Sequence, residues 1–140
     1  MSMQDNFSHI IYTVSRACRQ RFREHVGNDG LTFVQWRTLS FLSKYEMYRQ
    51  IDLARLMEVK PITLARVVDD LEKLGLVVRV KDATDRRVFR LSLTKKAKPV
   101  LKKFYKITHS IEDEILEELT PEERKTLIAL LLKLRRPLQV

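Results

Sequence analysis

Pro61 and Gly75 bracket the segment that most constrains what this chain can become. Proline suits the first position of a helix, where its missing N–H is not needed. Leu64, Val67, Val68, Leu71 and Leu74 then recur at three- and four-residue spacing, which predicts an apolar helical stripe. Glycine accepts the positive φ that ends a helix, so Gly75 predicts its stop. At about 100° per residue, the opposite face carries Ile62, Thr63, Arg66, Asp69, Asp70 and Lys73. Two β-rich runs follow, Val77, Val78 and Val80, then Val88, Phe89, Leu91 and Leu93. The intervening KDATDRR is too charged to bury and predicts a solvent-facing hairpin tip.

Such an order predicts a winged helix-turn-helix. An exposed first turn offering Thr63 and Arg66 is equipped to meet base edges and phosphates. A protruding Arg86 or Arg87 suits a DNA minor groove, where negative potential is concentrated. Asp85 repels phosphate, so its expected job is to hold a neighbouring guanidinium in one rotamer. Taken alone, DATDRR is an ordinary solvated turn; its position after this helix, glycine and strand favours DNA. The predicted contacts are Lys60, Pro61, Ile62, Thr63 and Arg66 on the helix and Asp85, Arg86 and Arg87 on the wing. Within them, Lys60 is assigned a phosphate, Arg66 and Thr63 base edges or adjacent phosphates, and Arg87 the minor groove. Asp70, one turn after Arg66, is placed to restrain it.

The flanking segments predict helices. From about Asp5 to Val26, Phe7, Ile11, Val14, Cys18 and Phe22 share one stripe, and Asn28, Asp29 and Gly30 form a break. Cys18 lies on that stripe and reads as a buried, inert thiol in preference to a redox sensor. Thr32 and Gln35 make a capping box for a helix to about Lys44, with Trp36, Leu39 and Leu42 inward. Ile51 to Met57 predicts a short supporting helix. Beyond the wing, Thr94 is expected to cap a long helix reaching about Leu119, with Pro99 loosening or kinking its start. Its stripe is Phe104, Ile107, Ile111, Ile115 and Leu119. Thr120, Pro121 and Glu123 then start a last helix whose leucines surround more of it than one core contact requires. Its surplus apolar face is expected to meet a second copy of the chain.

Charge points to the same surface. Of the net charge of +9, the stretch from Arg79 to Lys106 supplies eleven basic residues against two acidic ones, leaving the remainder neutral. A basic excess confined to the wing and the next helix is an electrostatic footprint for phosphates. A membrane is disfavoured as partner, because the hairpin lacks an apolar face beside its charges. The start MSMQDNFSHI does not read as a signal peptide, no apolar run is long enough to span a bilayer, and one cysteine excludes an internal disulfide framework. A cytoplasmic protein is expected.

Enzyme chemistry finds no footing. Cys18 and His25 lie seven residues apart on one helix, about 10 Å along its axis, too far for a nucleophile and base. The other histidines, His9 and His109, are dispersed, and no metal-binding or phosphate-loop motif is present. No cofactor or metal is expected. The rival classes left open are a winged-helix adaptor that binds protein and a nonspecific architectural DNA binder.

QIDLARLMEV (50–59), TLARVVDDLEKLGLV (63–77) and DATDRRVFRLSLT (82–94), with a weaker LTFVQW (31–36), resemble the MarR/SlyA family of winged-helix transcriptional regulators. Ala83 departs from the proline common there. The resemblance implies one mainly α domain with a small β-hairpin wing. Residues 31–94 would form the DNA-binding lobe, and residues 1–30 and 95–140 the helices of dimerisation. It further implies a homodimer on a pseudo-palindromic operator, acting as a repressor and released by a small aromatic acid. For that effector, Arg16 or Arg19 would pair the carboxylate and Trp36 would supply an aromatic wall; on sequence alone these read more readily as a solvated face and a core anchor.

Overall fold

A computed structural model describes residues 2–27 and 30–136. After a 3-10 turn at Met3–Asp5 come α1 (Phe7–Val26), α2 (Phe33–Lys44), α3 (Gln50–Met57) and α4 (Pro61–Lys73). Strands β1 (Val77–Lys81) and β2 (Phe89–Leu93) precede α5 (Ala97–Ile115) and α6 (Pro121–Arg135). The chain divides into two compact units, Phe22–Ile107 and a second built from Met1–Arg21 with Thr108–Val140. Of the predicted break, Asn28 and Asp29 lie outside the described residues.

Phe22–Ile107 is organised around the inner faces of α2, α3 and α4. Leu39, Leu42, Leu53, Leu64, Val68 and Leu71 are fully buried, as the three- and four-residue spacing requires. Thr32 and Gln35 form the expected capping box: the Thr32 hydroxyl accepts from the Gln35 N–H, and the Gln35 side chain accepts from the Thr32 N–H. Phe22, Phe33, Trp36 and Phe104 make an aromatic cluster, with Trp36 stacked 5.3 Å from Phe104. Gly75 takes φ +74°, and Leu76 N–H reaches back to the Leu71 carbonyl, closing α4 as predicted. Leu74, counted from its spacing as part of the apolar stripe, is instead the exposed C-cap of α4. Gly75 turns the chain away directly after it, which leaves the cap residue uncovered.

The hairpin is antiparallel, with Val77 opposite Leu93 and Lys81 opposite Phe89. A third edge, not anticipated, comes from the segment before α3. Met47 N–H donates to the Leu91 carbonyl and Leu91 N–H to the Tyr48 carbonyl, with a bridge between Arg49 and Arg90. The wing is thereby anchored along its β2 edge.

Helix α5 corrects three expectations. It begins at Ala97, because the Thr94 hydroxyl donates to the Gly75 carbonyl (2.6 Å) and the Thr94 N–H to the Leu76 carbonyl, which ties Thr94 to the end of α4. Pro99 therefore falls in the first turn, where no helical hydrogen bond is lost and no kink is needed. The helix ends at Ile115, and residues 116–119 turn before α6.

In the second unit, α6 opens on the predicted capping box between Thr120 and Glu123, with Pro121 at its first position. Arg124 fastens α6 to the end of α5, donating to the Leu116 carbonyl and pairing with Asp113 at 3.0 Å. No residue of α6 is buried, and Ile128, Leu130, Leu132 and Leu134 are exposed. The α1 stripe is likewise open at Phe7, Ile11 and Val14 and closes only toward Phe22. Cys18 is half-buried, and that burial pushes its thiol pKa up, away from the reactive thiolate.

Candidate nucleic-acid interface

Helix α4 presents its predicted outer face to solvent: Lys60, Pro61, Ile62, Thr63 and Arg66 are all exposed. The side chains of Lys60, Thr63, Arg66 and Arg86 make no hydrogen bond or ion pair with another described residue. Asp70 does not restrain Arg66, as its spacing had suggested. Lys60 is the N-cap, yet it supplies no side-chain cap, and the first turn contains no acid. The free N–H groups and the positive end of the helix dipole are left facing outward.

Two aspartates preorganise the wing. Asp82 accepts from the Thr84 hydroxyl (2.7 Å), the Thr84 and Asp85 N–H groups, and Arg90 Nε (2.6 Å). The Thr84 hydroxyl above all, then Arg90, holds this carboxyl well below the usual carboxylate range. Asp85 performs the role expected of it, on Arg87 and not Arg86. Its two oxygens accept from Arg87 Nε (3.2 Å) and Nη2 (3.3 Å), and Oδ1 also accepts from the Arg87 N–H. The Arg87 side chain nevertheless remains 90% exposed, a guanidinium aimed by its neighbour and open to solvent. Wing and helix form one face: a cleft of about 180 Å3 is lined by Pro61 of α4, Gln50 and Ile51 of α3, and Arg87, Val88 and Phe89 of the wing.

Arg79 belongs to the basic stretch but does not serve the face: its side chain is only 16% exposed and its guanidinium is spent inside the unit. It pairs with Asp69 (2.7 Å) and Glu72 (3.0 Å), and donates to the Ala65 carbonyl and to Gln50 Oε1. It thus braces α4 against α3 and β1. Arg90 is similarly drawn to Asp82 and the Met47 carbonyl. The free positive charge of the face is carried by fewer arginines than composition suggested. The DxT pattern of Asp82 and Thr84 was the available signal for the wing network.

Of the predicted effector residues, Arg16 and Arg19 are exposed on α1, whereas Trp36 is 3% exposed and packed in the aromatic cluster. Its position is that of a core anchor with no open face. Among the described residues no cluster of His, Cys, Asp or Glu is placed to hold a metal, and no helix is long and apolar enough to cross a membrane.

A helix-turn-helix with a hairpin wing, an uncapped outward α4 and an aimed arginine define the winged-helix class. Residues 31–89 match the sequence model of the MarR family. The fold is similar to that of a probable transcriptional regulator from Pseudomonas aeruginosa, at 28% identity over 95% of this chain and 99% of that one (TM-score 0.79). BpsR of Bordetella bronchiseptica, whose DNA binding is regulated by 6-hydroxynicotinic acid, matches at 19% identity over 96% of each chain (TM-score 0.81). A mutant MarR from E. coli in complex with operator DNA matches at 20% identity over 96% of this chain and 99% of that one (TM-score 0.78). The winged lobe of residues 31–89 thus matches the MarR family, and the chain shares its fold with these solved structures.

Proposed function

We propose that two copies of this chain bind a pseudo-palindromic operator and repress transcription from it. The observation that carries the reading is the shared face of α4 and wing, where Arg66 and Thr63 stand without partners and Asp85 aims Arg87 beside them. In the proposed complex Arg66 and Thr63 meet base edges or adjacent phosphates, Lys60 a phosphate, and Arg87 the flanking minor groove. The exposed apolar faces of α1 and α6 supply the dimer surface, so that residues 1–30 and 95–140 act as the dimerisation region and 31–94 as the DNA lobe. Two recognition helices then read successive major grooves when they sit about 34 Å apart.

Selection of the purified protein against random duplex DNA at near-physiological salt tests this. Recovery of an inverted repeat with half-site centres one helical turn apart supports the dimeric regulator. Retention without a motif supports architectural binding, and no retention supports a protein-binding adaptor. With about eight phosphates neutralised per dimer, log affinity should fall against log salt with a slope of roughly −7.

Release by a small aromatic acid is the finer part of the proposal, supported by the ligand control of BpsR and by the exposed Arg16 and Arg19 on α1. Calorimetry with salicylate-like acids should show heat and a weakened operator complex; no heat and no change in DNA affinity would exclude it.

A further inference from the structure

Ile62 is 63% exposed, the most exposed large apolar side chain described in Phe22–Ile107. It stands in the first turn of α4, where helix electrostatics favour an acid and propensity disfavours a β-branched residue. At the corresponding place α6 has Glu122 after its proline. Single exposed apolar residues are common, but this one shares a helix face with Arg66, four residues on, and is followed by the unpartnered Thr63. In the major groove only thymine offers an apolar group at a base edge, its C5-methyl. Ile62 has no donor or acceptor with which to read anything else.

We propose that Ile62 reads a thymine methyl in each operator half-site. This rests on the DNA-binding reading above and adds a base to it. Four residues of α-helix advance about 6 Å, and base pairs are stacked about 3.4 Å apart. The thymine therefore lies within about two base pairs of the base pair that Arg66 contacts.

The test uses the duplex recovered by selection, resynthesised with uracil in place of each thymine in turn, which removes only the methyl. At one position per half-site, uracil should weaken binding by about fourfold, and by about fifteenfold when both half-sites are changed, as expected for losing one buried methyl each. Ile62→Ala, folded as judged by circular dichroism, should bind the thymine and uracil duplexes equally. If uracil has no effect at any position while the duplex is still preferred to a scrambled one, the regulator reading stands and the role of Ile62 falls. A thymine preference undiminished in Ile62→Ala also overturns it. Failure to retain any duplex removes both readings.

Discussion

Helices α4 and α6 both begin with proline and diverge at the next residue. Helix α6 follows Pro121 with Glu122 and Glu123, and Thr120 exchanges hydrogen bonds with Glu123, so its N-terminus is satisfied locally. Helix α4 follows Pro61 with Ile62 and Thr63 and has neither a side-chain cap nor an acid in its first turn. Burial is reversed: Leu64, Val68 and Leu71 of α4 are fully buried, whereas α6 buries nothing. One helix is held by tertiary packing and leaves its electropositive end free, a fit for phosphate. The other is held by local chemistry and leaves its apolar side free, a fit for protein. What each helix leaves unsatisfied indicates the kind of partner it can take.

Giving α4 the first turn of α6 should break the contrast most severely. Ile62→Glu with Thr63→Glu should lower duplex affinity by roughly a hundredfold or more, since like charges forced together cost several kcal/mol, while thermal stability holds or rises slightly. Fluorescence anisotropy beside calorimetry checks both halves; retained affinity would mean that this turn does not face DNA. Removing the brace comes next. Arg79→Met should reduce unfolding stability by about 1–3 kcal/mol, toward the lower end because Asp69 and Glu72 are exposed enough to rehydrate. Urea denaturation would measure it, and an unchanged midpoint would show the brace to be dispensable. Thr120→Ala should cost about 1 kcal/mol and Thr120→Ser much less; equal losses would mean that the hydroxyl is not what starts α6.

The smallest effect concerns acid. Asp82 has a folded pKa below its unfolded value, chiefly through the Thr84 hydroxyl and then Arg90, so its stabilisation is present above the unfolded carboxylate range near pH 4. It is lost as pH falls toward the folded value. Melting curves should therefore drop below about pH 4 in the natural protein and less steeply in Asp82→Asn. Matching acid slopes in the two proteins would assign the drop to other carboxylates.

Much of this was legible because it is local. Pro61, Gly75 and the two capping boxes act within one turn of the backbone, and the strands announce themselves by side-chain type. Misreadings came where a distant group competed for a residue. Thr94 looked like a cap until the Gly75 carbonyl claimed its hydroxyl, and Leu74 looked like core until the helix ended beneath it. The sheet edge at Met47–Arg49 left no periodic trace, being only three residues of backbone pairing.

By itself, then, the order of residues determined the helix-turn-helix, the wing and the basic stretch. The tertiary structure decided which arginines are free to bind. Arg79 is consumed by Asp69 and Glu72 and Arg90 by Asp82, while Arg66 and Arg86 are left without partners and Arg87 is aimed outward by Asp85. A guanidinium is available where folding leaves it without a carboxylate or, as for Arg87, paired yet open to solvent, and that depends on how helix, strand and turn pack together, which the spacing of residues along one element does not encode.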